Sequence, residues 1–307
     1  MFNKQVLYKL RSLVGLLGLA IILTFLSPRF LTLANLTNVL RQTSLNAIIA
    51  VGMTFVILTG GIDLSVGSIF AFASAITAGM LIGGVNVVLA VTAGLVVGAL
   101  SGAVNGLFIT KGKVPAFICT LAMMTILRGT TLVYTNGQPL SGLGDAFYFV
   151  GEGFIGIFPV PVIITVIVFA IGYYILSQYK IGRYIYALGG NEEAARLSGI
   201  PTDFVKITTY AISGLLAALS GIIIASRLNS AQPTAGQGAE LDAIAAVVLG
   251  GTSLSGGQGG VVGTIIGALI IGVLNNGLNL LNVSPFYQLI AKGAVILLAI
   301  LLDKKEN

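Results

Sequence analysis

The chain of 307 residues has no histidine, no tryptophan and one cysteine, and only 8% of its residues are charged. With Cys119 alone, neither a disulfide nor a cysteine-based metal cluster can form within the chain. Without histidine, and without two carboxylates spaced for acid–base work, the sequence offers no catalytic site. It also lacks a G-x-x-x-x-G-K-[ST] motif, so the chain has no P-loop of its own for ATP. We therefore expect a protein that is not an enzyme and needs no metal or cofactor.

Apolar sequence is abundant instead, since 56% of the residues are hydrophobic and the mean hydropathy is +1.01. The apolar residues form unbroken runs rather than an alternating pattern, which favours membrane-spanning helices over a β-barrel. The sequence thus predicts an all-α integral membrane protein whose residues 1–307 form one transmembrane domain. The ten candidate spans are 12–26, 44–60, 66–83, 86–108, 115–134, 160–176, 207–226, 239–251, 261–281 and 286–302. Three of them, the first, second and eighth, are short for a bilayer that needs about 20 residues.

Basic residues are distributed unevenly around these spans. With the N-terminus inside, eleven of them lie on the inner side: Lys4, Lys9, Arg11, Lys111, Lys113, Lys180, Arg183, Arg196, Lys206, Lys304 and Lys305. The three on the outer side are Arg29, Arg41 and Arg227. The positive-inside rule therefore predicts that both termini and the loop 177–206 are cytoplasmic. This topology explains the net charge of +6, so we expect lipid and not nucleic acid as a partner. We expect the first span to be retained, because no small-x-small cleavage site follows it.

Two halves of the chain resemble each other. GGIDLSVG at 60–67 is similar to GGTSLSGG at 250–257, and 98–118 is similar to 267–290. The repeat-like segments are about 44–134 and 239–302, and the offsets 250 − 60 = 190 and 267 − 98 = 169 differ by about one helix near 66–83. Internal duplication is common in transporters, where the repeat interface often forms the pathway. The alternative is a chance likeness between glycine-rich helices.

Polar residues interrupt several of the apolar runs. In GGIDLSVGS (60–68), glycines, serines and an aspartate allow a broken helix at a gate, or else a cytoplasmic turn with Asp63 as the N-cap of the next helix. Amide side chains in other spans either join helices or line a wet path suited to sugar hydroxyls. The candidate residues for a translocation path or gate are Asp63, Ser65, Asn46, Asn105, Asn276 and Gln288.

Three further features within the spans have structural or functional interpretations. Gly94, Gly98, Gly102 and Gly106 are spaced four apart, which predicts close approach of a neighbouring helix or a dimer seam. Arg128 lies near the outer end of its span and could extend to the interface. Lys292 lies deeper, and Glu240 or Asp242 are its candidate partners.

The stretch ALGGNEEAARLSGI (187–200) concentrates charge between two apolar segments. Asn191 is a plausible N-cap, Glu192 stands at i,i+4 from Arg196, and Gly199 ends the pattern. The sequence therefore predicts one short helix on a cytoplasmic loop. A helix of this length is marginal alone, so we expect it to dock on another protein, although a solvated loop is the alternative.

Four segments resemble one known family. NAIIAVGMTFVILTGGIDLSVGS (46–68), ALGGNEEAARLSGI (187–200), SRLNSAQPTAGQGAELDAIAAVVLGGTSLSGGQGG (226–260) and NNGLNLLNVSPFYQ (275–288) are similar to permeases of ATP-binding cassette importers for branched-chain amino acids and monosaccharides. The resemblance runs from about residue 27 to 302. NSAQPTAG and NNGLNLL look closer to the ribose branch of this family.

This resemblance implies a function and a set of partners. The chain would be the permease subunit of a bacterial inner-membrane importer, which translocates ribose or a related monosaccharide by alternating access. It would pair with a second permease chain, an extracytoplasmic ribose-binding protein and a cytoplasmic ATPase subunit. The residues implied in coupling to the ATPase are Gly189, Gly190, Asn191, Glu192, Glu193, Ala194, Ala195, Arg196 and Gly199. The competing hypothesis is an ion-coupled secondary sugar transporter, a class that usually shows intramembrane carboxylates.

Overall fold

A computed structural model describes the backbone of residues 4–304 and the side chains of residues 12–294 and of Leu297. These residues form thirteen helices and two small antiparallel sheets. The helices are α1 Lys4–Leu26, α2 Leu33–Leu58, α3 Val66–Ile82, α4 Val87–Thr110, α5 Ala116–Thr135, α6 Asp145–Glu152, α7 Val160–Gln178, α8 Lys180–Gly190, α9 Glu192–Leu197, α10 Thr202–Leu228, α11 Ala239–Leu249, α12 Val261–Leu280 and α13 Pro285–Lys304. The strands are β1 Leu140–Ser141, β2 Phe154–Ile155, β3 Phe158–Pro159 and β4 Ser230–Ala231, and they pair as β1 with β4 and β2 with β3.

Every one of the ten candidate spans coincides with a helix. Within the described residues, six helices are long and apolar enough to cross a membrane: α2, α4, α5, α7, α10 and α12. These six do not confirm the prediction of about ten crossings. The clearest departure is α11, which has 11 residues. It rises about 16 Å at 1.5 Å per residue, so it does not cross a hydrocarbon core of about 30 Å alone.

Helices α2 and α10 form the centre of the molecule. All residues of α2 from Ala47 to Leu58 are buried, as expected of a helix that is apolar on every side. Helix α10 packs against α2, α3, α4 and α6. These contacts place one end of α10 beside the loop after α2 and its other end beside α6.

The glycine stripe of α4 explains why α4 and α10 lie so close together. A Cβ atom built on Gly98 would overlap Ala218 and the backbone of Gly214, and one on Gly102 would overlap the carbonyl of Tyr210. A side chain at either position would push α10 away, so only glycine permits this approach. The prediction of close packing is confirmed, and the partner is a helix of the same chain.

The two ends of the helices form two different faces. The loops 59–65, 111–115 and 191–201 lie on the first face, and α6 and the two sheets lie on the second. Among the described side chains, the first face carries Lys111, Lys113, Lys180, Arg183, Arg196 and Lys206, and the second carries Arg29, Arg41 and Arg227. This asymmetry is the one that the positive-inside rule requires of a cytoplasmic first face. The side chains of Lys4, Lys9, Arg11, Lys304 and Lys305, and both chain termini, lie outside the described residues.

Helices α2 and α11 end in the same hydrogen-bonded cap. Gly60 (φ +76°) follows α2 and Gly251 (φ +82°) follows α11, both in the left-handed conformation that favours glycine. Each donates its N–H to the carbonyl three residues earlier, and the next residue donates to the carbonyl five residues before itself. This is the Schellman arrangement. The caps correspond at an offset of 251 − 60 = 191, one residue more than the sequence alignment gives.

Candidate functional site

The charged stretch after α8 folds as the short helix α9. The Asn191 side chain accepts a hydrogen bond from the N–H of Ala194 at 2.8 Å, as an N-cap does. Glu192 pairs with Lys206 at 2.7 Å and with Arg196 at 3.6 Å. Gly199, with φ +80°, lies just beyond the helix end and allows the chain to turn into α10. The predicted helix and its two boundaries are thus present, with the ion pair at i,i+4.

Helix α9 lies on the surface of the first face. Ala195 is its one buried residue, whereas Leu197 is 85% exposed and Phe204, at the start of α10, is 62% exposed. A cavity of about 940 Å³ opens beside α9 and is bounded by residues 59–61 and 109–116. Two large apolar side chains are thus exposed beside the charged residues of α9.

Helix α8 lies between α9 and two glycine-rich loops, 59–65 after α2 and 250–260 after α11. The N–H of Gly257 donates to the carbonyl of Leu58 at 3.0 Å, so the loop 250–260 is bonded to the end of α2. The hydroxyl of Tyr186 on α8 donates to the carbonyl of Gly259 at 3.0 Å. Burial raises the pKa of the Tyr186 phenol, which therefore stays protonated and able to donate. Gly189 lies against the bond between Gly257 and Leu58.

Three of the predicted path or gate residues meet in one buried cluster between α2 and α3. The Asp63 carboxylate accepts from the N–H of Ser65 at 3.0 Å, from its hydroxyl at 2.6 Å, and from the Ser213 hydroxyl at 2.8 Å. Asn105 donates to the Ser65 hydroxyl at 2.8 Å. Asp63, Ser65 and Asn105 are each 0% exposed, so the cluster joins α3, α4 and α10 around a turn. The N-cap position of α3 belongs to Ser65, not to Asp63 as the turn hypothesis supposed.

The other three path or gate candidates lie elsewhere. Asn46 donates to Asp242 at 3.4 Å, and Asn276 exchanges hydrogen bonds of 2.9 and 3.1 Å with Asn35. Gln288 donates to Asn279 at 2.8 Å and to the carbonyl of Val283. Each amide therefore joins two helices or caps one. Of the two interpretations of these amides, these contacts favour the joining of helices over the lining of a wet path. The six residues do not form one continuous row.

The two ionisable residues within spans both have partners. Lys292 forms an ion pair of 2.9 Å with Asp242, one of the two candidates that the sequence offered. Arg128 donates to the carbonyls of Pro233 and Ala235 at 2.9 Å and to that of Gly67 at 3.3 Å. It therefore fixes the NSAQPTAG segment against α3.

A cluster on the second face is not apparent from the sequence. Glu152 at the end of α6 pairs with Arg41 of α2 and, at 3.0 Å, with Arg227 of α10. The Arg41 guanidinium also lies 4.6 Å above the Phe154 ring. Two of the three outer arginines thus share one carboxylate. The available signal was the absence of any lysine or arginine from the loop 135–159, which leaves Glu152 without a local partner.

Comparison with known proteins identifies the class of this chain. The profile of a family described as the permease component of the branched-chain amino acid transport system matches residues 35–300. The chain therefore belongs to this family of transport-system permeases. The membership agrees with the six membrane-length helices, and the protein is a multi-pass membrane protein.

Individual relatives match over nearly the whole chain. A protein named ribose import permease protein RbsC from Bacillus subtilis (strain 168) is 58% identical over 305 residues, 98% of this chain and 94% of that protein. One of the same name from Escherichia coli (strain K12) is 57% identical over 311 residues, 100% of this chain and 97% of that protein. The D-allose transport system permease protein AlsC of the same strain is 43% identical, over 91% of this chain and 86% of that protein. No solved structure gives a significant match.

Proposed function

We propose that this chain is the membrane-spanning subunit of an ATP-binding cassette importer that carries ribose into a bacterial cell. The observation that carries the proposal is the identity of 58% and 57%, over 98% and 100% of this chain, to two ribose import permeases. The lower identity of 43% to a D-allose permease favours ribose over that hexose. The subunit lies in the cell membrane and carries no ATPase site of its own.

Helix α9 is the surface on which the ATPase subunit docks. Its exposed side chains provide an apolar contact at Leu197 beside the charged Glu193 and Arg196. A helix of six residues has little stability of its own, and a docked partner stabilises it further. The first face is cytoplasmic in this arrangement because most of the described basic residues lie there. We assign the coupling role to residues 189–196 and Gly199.

The second face receives the extracytoplasmic ribose-binding protein, and a second copy of the chain completes the pathway. Helix α6 on this face is joined to α2 and α10 by the pairs between Glu152 and the two arginines, which makes it a rigid contact surface. The pathway follows the boundary between the two repeat-like segments. The likeness of GGIDLSVG at 60–67 to GGTSLSGG at 250–257 supports that repeat.

The buried polar residues act on the gate by holding helices. Asp63, Ser65 and Asn105 fix the turn between α2 and α3 at the cytoplasmic end of the pathway. Asn46, Asn276 and Gln288 join helices near the second repeat. Selectivity for the sugar then belongs mainly to the binding protein, and the membrane chain makes few specific contacts with the sugar.

Uptake of labelled ribose in cells that express the chain with its partners tests the proposal. We expect loss of uptake when the P-loop lysine of the ATPase subunit is replaced, and unchanged uptake when a protonophore is added under conditions that preserve ATP. A matched strain without this chain gives the background. Uptake that persists without ATP hydrolysis and stops with the protonophore would instead identify an ion-coupled carrier.

A further inference from the structure

Three segments of backbone meet on the first face with almost no side chain between them. They are the end of α2 at Leu58, the loop 250–260 at Gly257, and the end of α8 at Gly189. The hydrogen bond from Gly257 N–H to the Leu58 carbonyl joins the two loops that follow α2 and α11. Gly256 belongs to the same contact, because a Cβ atom there would lie 2.8 Å from the Gly60 nitrogen and 3.0 Å from the Gly189 oxygen.

Gly189 lies directly over that hydrogen bond. A Cβ atom on Gly189 would overlap the carbonyl oxygen of Leu58 and the amide nitrogen of Gly257, the two atoms that the bond joins. Both are backbone atoms, so no side-chain rotation could relieve the overlap. Gly129 on α5 differs, because a Cβ atom there would meet nothing within 4 Å. Both glycines lie within helices and neither has a positive φ, so alanine suits the backbone conformation at both.

Helix α8 is a firm link between this contact and α9. Its residues Ile185 and Leu188 are 0% and 2% exposed and pack in the main core. The Tyr186 hydroxyl adds a second bond to the loop 250–260, at Gly259. Only Asn191 separates the end of α8 from the start of α9. Gly189 is therefore less than one helical turn from the start of α9, so a displacement of α9 also displaces Gly189.

We propose that Gly189 is a positioning residue through which movement of α9 is transmitted to the loops after α2 and α11. The proposal rests on the function proposed above, in which an ATPase subunit moves α9. Since the contact is made by backbone atoms, no flexible side chain absorbs a small displacement, and interfaces packed in this way switch between discrete arrangements. The same movement reaches both loops because the bond between Leu58 and Gly257 joins them.

The test compares Gly189→Ala with Gly129→Ala in the complete transporter, reconstituted in liposomes with its ATPase subunit and ribose-binding protein. Labelled ribose uptake and ATP hydrolysis are measured on the same vesicles, and their quotient is the coupling ratio. We expect Gly129→Ala, which lies outside the coupling surface, to keep the wild-type ratio. We expect Gly189→Ala to lower it by about tenfold or more, within the range of coupling between distant sites, while ATP hydrolysis continues.

A second variant keeps the test decisive if Gly189→Ala does not assemble. Tyr186→Phe removes only the hydroxyl that donates to Gly259, and it leaves the packing of the ring in place. We expect a smaller fall in the coupling ratio with normal recovery of the complex. The proposal is overturned if Gly189→Ala keeps the wild-type ratio. It is equally overturned if Gly189→Ala fails to assemble while Tyr186→Phe couples normally, because Gly189 would then serve stability alone.

The wild-type vesicles separate this proposal from the one on which it rests. If they take up no ribose with ATP, the importer function fails, and the role of Gly189 fails with it. If they take up ribose and Gly189→Ala does so with an unchanged coupling ratio, the importer function stands and only the transmission through Gly189 is wrong.

Discussion

At the scale of single residues, Asp63 is a fully buried carboxylate that relies on neutral hydrogen-bond donors. Three donors from Ser65 and Ser213 reach its two oxygens, and no lysine or arginine within the described residues forms an ion pair with it. Asp242, the other buried aspartate, is 7% exposed and is neutralised differently, by an ion pair with Lys292. A buried acceptor that loses its donor keeps the cost of desolvation, so each donor to Asp63 matters individually.

We expect Ser213→Ala to destabilise the protein measurably. Its hydroxyl is the donor to the Asp63 Oδ2 atom, which would be left buried without that bond. The expected loss in free energy of unfolding is about 1–3 kcal/mol. Thermal unfolding in detergent measures it as a lower melting temperature.

Ser74→Ala is the matched control for that measurement. Ser74 is as buried as Ser213, but its hydroxyl donates only to the Ala71 carbonyl of its own helix. That carbonyl belongs to a helix interior and keeps its main-chain partner, so a small shift is expected. Equal melting temperatures for the two variants would contradict the importance of the Asp63 cluster.

At the scale of elements, the pair α4 and α10 depends on the absence of side chains. Gly98, Gly102 and Gly106 of the stripe let the two backbones approach, and dispersion contacts and short helix separation then stabilise the pair in a lipid environment. Stripes of this kind tolerate no extra carbon on the contact side, whereas a glycine on a lipid-facing side has no such role.

We expect opposite effects from two chemically identical substitutions. Gly102→Ala places a carbon against the Tyr210 carbonyl and should destabilise the protein by about 1–3 kcal/mol, as overpacking does. Gly129→Ala on α5 meets nothing within 4 Å and should be neutral or stabilise by up to about 1 kcal/mol through helix propensity. Thermal unfolding of both variants in one detergent provides the comparison. A lower melting temperature for Gly129→Ala than for Gly102→Ala would refute this explanation of the stripe.

The sequence predicted local elements well because their signals are local. The N-cap at Asn191 and the ion pair of Glu192 with Arg196 lie within one short helix, and both are present. The glycine spacing on α4 predicted close packing, but it did not indicate α10 as the partner. Likewise, the Asp63 cluster needs Ser213, which lies 150 residues away, and nothing in the sequence links the two.

At the scale of the whole molecule, the two faces differ in charge and in function. The face with α9 carries six of the nine described basic residues that the topology assigns to loops. Their number predicts that this face is cytoplasmic, and the docking of an ATPase subunit requires the same orientation. The count of about ten crossings stays a prediction, and α11 is the span that least supports it, because the apolar run 239–251 has 13 residues and its helix only 11.

Cysteine labelling tests this orientation directly. Ile157, between strands β2 and β3, is 82% exposed and Leu197 on α9 is 85% exposed, so the two positions are matched in accessibility. The single native cysteine, Cys119, is buried and can be replaced by alanine to give a background without thiols. In spheroplasts, we expect a membrane-impermeant maleimide to label Ile157→Cys and not Leu197→Cys.

Inside-out vesicles provide the matched control, because they expose the other face to the same reagent. In vesicles from cells that express the chain without its ATPase subunit, Leu197→Cys should react and Ile157→Cys should not, and both should react after detergent is added. If Leu197→Cys reacts in intact spheroplasts, α9 lies outside the cell, where no ATP is available to a docked ATPase. That result would remove both the coupling role of α9 and the transmission through Gly189, whereas the expected pattern leaves ATPase docking at α9 sterically open.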